Sequence, residues 1–364
     1  MNVYLSRLTF FRFIAAVLVV YFHVGQKIPP MDTGLLHTFA QNGTLAVSFF
    51  YCLSGFVLTT VYDRDDASTV AFWIARFARI YPVYLLCLLF CIAIPMPFPP
   101  LALALDVFLL QSWAPGYPSF LNGPAWSLSV EALFYALFPF LLRWLRRSSG
   151  LTIGLFTAAI WIITQFAAWY LFTYRFDGFA TPSADLIFYF PLLHLNVFVM
   201  GCAGALFFKK LHRSDRALML SIASVVVSVA VVAIVKACAQ SIGLRVFAQD
   251  GLYAPIFVSG MWFVGTLPKF IGDILSSRPL VMLGESSYTL YLLQVPLVLW
   301  LQGHLPGIYS TRPVLYFYIY LVALIAASLA IFLFFESPAR KHLRIILGRM
   351  AGTPQTPKLA AGRD

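Results

Sequence analysis

Long apolar runs alternate with short polar breaks along this chain, and the runs have the length of membrane helices. A bilayer crossing needs about 20 mostly apolar residues. Runs of that kind lie at 8–27, 44–62, 79–97, 126–145, 151–173, 188–208, 217–238, 251–268, 281–301 and 314–335. The stretch 101–113 (LALALDVFLLQSW) is too short to cross and reads as a partial helix at the interface. The pattern predicts an all-α polytopic membrane protein with about ten transmembrane helices. Residues 1–345 make one membrane-embedded domain and 346–364 a tail. From about Ala351 the tail (AGTPQTPKLAAGRD) is polar with no apolar period, as expected of a disordered segment.

Composition agrees and excludes the ordinary soluble classes. The 364 residues are 61% hydrophobic and 11% charged, where soluble domains are about a quarter charged. A net charge of +11 would suggest a nucleic-acid partner in a soluble protein. Here the placement of the cations gives another meaning. With the N-terminus in the cytoplasm, twenty of the 25 Lys and Arg fall inside, and only Lys27, Arg175, Lys236, Arg245 and Arg312 fall outside. Cytoplasmic loops carry such an excess. Both termini are therefore expected in the cytoplasm, with no nucleic-acid partner. The five cysteines (Cys52, Cys87, Cys91, Cys202, Cys238) lie in or beside apolar runs and form no CxxC pair. They predict neither a disulfide framework nor a metal site, and read as small buried hydrophobes. Residues 13–22 resemble the core of a signal peptide, but no A-x-A-like site follows, so the segment reads as a retained helix. No internal repeat, the usual sign of a secondary transporter, is evident.

The chemistry resides in the few polar groups inside the apolar runs. FFRFIAAVLVVYFHVG (10–25) holds Arg12 and His23 within the first span. Eleven residues at about 100° each make three turns plus about 20°, so both point the same way, about 16 Å apart along the axis. One face would then carry a cation toward the cytoplasm and an imidazole toward the outside. GPAWSLSVEALFYALFPFLL (123–142) holds Glu131, and Ser127 one turn earlier shares its face. A carboxylate at that depth needs a partner, a water-filled cavity or a proton. A His23–Glu131 pair would meet that need. FWIARFARIYPVYLL (72–86) places Arg76 and Arg79 one turn apart as a helix enters the membrane. Paired guanidiniums suit a polyanion, although a plain positive flank has the same pattern.

Together these groups resemble the acyltransferase-3 family of integral membrane acyltransferases. The Arg12…His23 spacing, FFYCLSGFVLT (49–59), RFARIYPVY (76–84), WSLSVEALFY (126–135), LGESSYTLYLLQVPL (283–297) and FFESPARKHLR (334–344) carry the resemblance. It departs at Gln294, where family members often have His, and at HLNVFVMG (194–201), which has His194 and no acid. The resemblance implies transfer of an acyl group, commonly acetyl, from cytoplasmic acyl-coenzyme A to a hydroxyl of an extracytoplasmic or lipid-linked glycan. The protein would then be a multi-pass protein of the bacterial inner membrane. Its partners would be acyl-coenzyme A as co-substrate, the glycan and membrane lipids, with no bound cofactor or metal. On this reading Arg12, Arg76 and Arg79 hold the donor at the inner mouth. His23 acts as general base or transient nucleophile, and Glu131 orients it. Trp126 and Ser127 are candidates for the acceptor side or the oxyanion. The competing expectation is a transporter or flippase for a lipid-linked or anionic solute, using the same Arg, His and Glu.

Overall fold

The computed structural model describes residues 3–63, 68–94, 97–179, 181–241 and 251–352. Arg64, Arg245, Lys358 and Arg363 of the charge pattern, and the tail from 353, lie outside the described residues. The helices in chain order are α1 (Val3–Val20), α2 (Gly34–Gln41), α3 (Leu45–Tyr62), α4 (Thr69–Ala93), α5 (Pro100–Val107), α6 (Trp126–Arg147), α7 (Gly150–Tyr174) and α8 (Pro182–Phe188). They continue as α9 (Leu195–Leu211), α10 (Ala217–Ser241), α11 (Ala254–Thr266), α12 (Lys269–Leu275), α13 (Arg278–His304), α14 (Pro306–Thr311), α15 (Pro313–Ile331) and α16 (Ser337–Met350). Among the described residues there is no strand. Helix α16 continues to Met350, so the first five residues assigned to the tail are helical.

Eight helices among the described residues are long and apolar enough to cross a membrane, or nine if α11 and α12 form one bent span. The ten expected runs all became helices, and two of them differ from simple spans. The run 251–268 is broken: α12 turns 111° away from α11. Pro268 cannot continue the helix, and Arg7 donates to the carbonyls of Gly265 (3.2 Å) and Leu267 (2.8 Å) at the break. A cation there satisfies carbonyls that the ended helix leaves free. The run 281–301 became α13, 27 residues long but outside the apolar set. It is buried in the bundle together with its polar side chains Ser286, Ser287, Thr289 and Gln294. Ser286 and Ser287 return their hydroxyls to Leu283 O and Gly284 O, which keeps them satisfied away from water.

Contacts between helix ends fix the directions. Asp63, just past α3, pairs with Arg146 at the end of α6 (3.2 Å) and with Lys209 near the end of α9. The Tyr4 ring at the start of α1 packs on Phe208 and His212. The start of α1 and the ends of α3, α6 and α9 therefore share one basic end of the bundle. Helix α4 starts near it, its Ser68 cap accepting from the amide of Ala71 (3.3 Å). Close helix approach depends on glycine. A Cβ on Gly55 of α3 would strike the carbonyl oxygen of Phe198, and one on Gly201 of α9 that of Cys52.

Candidate active site

Between α1, α3, α4, α6 and α13 lies a cavity with about 890 Å³ of empty space, including its open mouth. Its walls include Arg12, Arg76, Arg79, Ser127 and Glu131, five of the seven residues singled out in the sequence. Counted along their helices from the basic end, Arg76 is seven residues in, Arg12 nine and Arg79 ten. At 1.5 Å per residue these are depths of about 10–15 Å. The capped start at Thr69 lies ten residues before the expected start of the span and carries both arginines into the bundle.

The arginines are held differently. Arg79 pairs with Glu336, and Glu285 stands 3.8 Å away. Glu336 is 1% exposed and also accepts from Thr289 (2.8 Å), while Arg340 approaches Glu285 (3.9 Å). Arg76 has no ion-pair partner among the described residues. Its guanidinium lies 5.8–5.9 Å from the ring centres of Tyr62, Phe72 and Tyr135. Aromatic faces attract a cation without neutralising it. Arg12, on α1 in the same lining, likewise has no ion pair among the described residues.

Glu131 is held by the hydroxyl of Tyr135 and by Ser54 Oγ (3.4 Å), both on Oε1. Its Oε2 takes no hydrogen bond from the described residues. The Tyr135 ring that Arg76 faces thus also carries the hydroxyl that binds Glu131. The expected His23–Glu131 pair is not formed: no hydrogen bond or ion pair joins the two among the described residues. His23 Nδ1 instead meets Gln294 Oε1 at 3.2 Å, and His23 is outside the cavity lining. One physical reason is that His23 sits in a π turn, Tyr21–Gly25. An i→i+5 turn inserts a residue, so 3.6-residue arithmetic from Arg12 fails at His23.

Ser127 donates to Pro124 O (3.0 Å) and accepts from the Tyr291 hydroxyl (3.0 Å). Its proton is therefore engaged. Trp126 packs on Tyr189 and His194 away from the lining. Buried His194 places Nε2 3.1 Å from Phe188 O. Residues that sequence reading passed over are Glu285, Glu336, Tyr135 and Gln294 as a partner of His23. The signal for the two acids was present: each is a lone carboxylate in an apolar neighbourhood within a quoted motif.

An acyltransferase-domain family model matches residues 5–333. A stretch of 160 residues is 38% identical to the acyltransferase MdmB of Streptomyces mycarofaciens, covering 39% of this chain and 40% of that protein. An alignment of 369 positions gives 23% identity with the peptidoglycan O-acetyltransferase OatA of Listeria monocytogenes, covering 91% of this chain and 55% of that one. The O-acetyltransferase OatA of Staphylococcus aureus is 23% identical over 383 positions, covering 93% and 57%. The chain thus spans about half the length of the curated relatives it matches. No solved structure matches.

Proposed function

The chain belongs to the acyltransferase-3 family, and on that premise we propose that it moves an acetyl group from cytoplasmic acetyl-coenzyme A to a hydroxyl of a glycan outside the membrane. The observation that carries this reading is the cavity, where two guanidiniums that form no ion pair among the described residues, Arg12 and Arg76, line one site in the helical bundle. An intramembrane cation without a partner is costly and marks a site for a charged group. The donor's phosphates supply that charge, and guanidiniums bind phosphate bidentately. The acceptor named for the Listeria relative is peptidoglycan. That fits a glycan on the far side, in a bacterium whose inner membrane holds this chain with both termini in the cytoplasm.

The chemistry follows from the thioester. The acceptor hydroxyl loses its proton to His23 as its oxygen attacks the carbonyl carbon. The carbon–sulfur bond breaks when the tetrahedral intermediate collapses. The coenzyme A thiolate leaves and takes the proton back from the imidazolium. A general base contributes about 10²–10⁴-fold. Glu131 acts at the donor, its open Oε2 facing the cavity, and Tyr135 couples it to Arg76. Because Ser127 already donates to Pro124, it supports the wall rather than the oxyanion.

The test uses purified protein, radiolabelled acetyl-coenzyme A and a cell-envelope glycan extract. Wild type is expected to move label into glycan. The His23→Ala protein, inserted and folded alike, is expected to be slower by about 10²-fold or more. Label that stays on coenzyme A, together with movement of an anionic solute across proteoliposomes, would establish the transporter reading instead.

A further inference from the structure

The partner of His23 is a neutral amide, and its orientation is legible. Gln294 is fully buried on α13. Its Nε2 donates to the carbonyl of Tyr291 at 2.7 Å. Rotating the amide by half a turn would set Oε1 against that carbonyl, two acceptors face to face. The oxygen therefore points the other way, at His23 Nδ1, 3.2 Å off. The residue is fixed further by its own carbonyl, which accepts from the hydroxyl of Tyr320 at 3.0 Å. An amide oxygen only accepts. Facing it, Nδ1 must carry the proton, and in neutral His23 the lone pair then sits on Nε2; the backbone of Val19, four residues back, also hydrogen-bonds the ring, so Gln294 is one of its two partners among the described residues.

We infer that Gln294 is a positioning residue: it holds His23 in the tautomer with the proton on Nδ1, leaving Nε2 bare to take the proton of the acceptor hydroxyl. This rests on the reading of His23 as the base. Free imidazole in water prefers the opposite tautomer, with the proton on Nε2, so the base needs a device that reverses the preference. The π turn at Tyr21–Gly25 brings the ring to that device, since it shifts His23 out of the plain helical register. Tyr291 links the device to the cavity. Its carbonyl orients Gln294, its ring lines the cavity, and its hydroxyl contacts Pro124 O (2.9 Å) and Ser127.

Two measurements test this. The first needs no substrate. Full-length protein carrying nitrogen-labelled histidine is examined by NMR, and the His23 signal is identified by its absence in His23→Ala. In wild type the Nδ1 signal is expected to be the protonated one and Nε2 the bare one. In Gln294→Met, close in volume but lacking the acceptor, part of the population is expected to carry the proton on Nε2 instead, because only the Val19 backbone contact then remains on the ring. A wild-type His23 with its proton on Nε2, or a tautomer unchanged in Gln294→Met, overturns the inference. The second measurement is the labelled acetyl-coenzyme A and glycan-extract assay. Gln294→Met is expected to lower kcat by about 10²-fold with KM for the donor within about twofold, because an N–H would sit where a lone pair is needed. Gln294→Glu keeps an acceptor oxygen toward His23 but sets its second oxygen against the Tyr291 carbonyl, and is expected to recover part of the rate, more than Gln294→Met. It also serves as the second variant if Gln294→Met fails to fold. Inactive His23→Ala with fully active Gln294→Met would leave the base standing and remove the positioning role. Fully active His23→Ala would remove both.

Discussion

Arg76 and Arg79 stand one turn apart on α4, line the same cavity and both face aromatic rings, yet only Arg79 has carboxylates beside it. Arg79 is enclosed by carboxylates, Glu336 on one side and Glu285 on the other. Arg76 is enclosed by the rings of Tyr62, Phe72 and Tyr135. The first arrangement uses the charge within the protein, tying α4 to α13 and to the π turn Phe332–Glu336 that follows α15. The second leaves the charge unspent. The rings face the guanidinium without neutralising it, and no ion pair or hydrogen bond engages it among the described residues. A cluster of cations in a membrane bundle is thus not one feature: it divides into charges that hold the fold and charges that await a partner.

The comparison breaks most severely at Glu336. Changing it to Gln keeps the shape but leaves Arg79 with Glu285 alone at 3.8 Å. Removing one member of a buried pair costs about 3–5 kcal/mol, and a loss near the lower end is expected because Glu285 remains. Thermal unfolding in detergent reads it. The double change Arg79→Leu with Glu336→Leu should recover much of that loss, since an uncharged pair carries no desolvation cost. If Glu336→Gln melts like wild type, the pair is not what holds α4 to the π turn after α15.

The same experiment at Arg76 should read out differently. Arg76→Leu is expected to leave unfolding close to wild type and to weaken acetyl-coenzyme A binding by about 10- to 100-fold, as for the loss of a charge-assisted hydrogen bond. Arg76→Lys should recover only part, because an ammonium lacks the planar fork and stacks less well on the three rings. Titration of the two variants with the labelled donor decides it. A large loss of stability with unchanged binding would place Arg76 beside Arg79 as a structural charge.

Sequence reading located the helices and most of the cavity wall, and failed where local periodicity stops being the rule. Apolar runs of span length leave the chain little choice but helix, so all ten became helices. The break in the run at 251–268 had Pro268 as its signal, but the cation that stabilises it, Arg7, lies more than 250 residues away. Arg12, Arg76, Arg79, Ser127 and Glu131 were recognisable because polar groups in apolar runs need a reason. Which of them meet could not be read, because pairing is decided by tertiary packing. Glu131 found Tyr135 one turn along its own helix, and His23 found Gln294 from the far side of the sequence. The π turn at His23 has no pattern in its residues that marks it.

A milder contrast at the basic end sharpens the division between held and free charge. Asp63 binds Arg146 and Lys209, as Glu285 and Glu336 bind Arg79, but Lys209 is half exposed. Water there screens the pair and solvates whichever charge is left, and exposed pairs contribute about 0–1 kcal/mol. Lys209→Ala should therefore shift unfolding far less than Glu336→Gln, by under about 1 kcal/mol, and what shift there is should fade as salt is raised. Donor binding should not change, since Lys209 is outside the cavity. Thermal unfolding at low and high salt, on the same preparation, measures this. A loss as large as that of Glu336→Gln and indifferent to salt would mean that burial does not set the strength of these pairs, and the contrast between Arg76 and Arg79 would then need another cause.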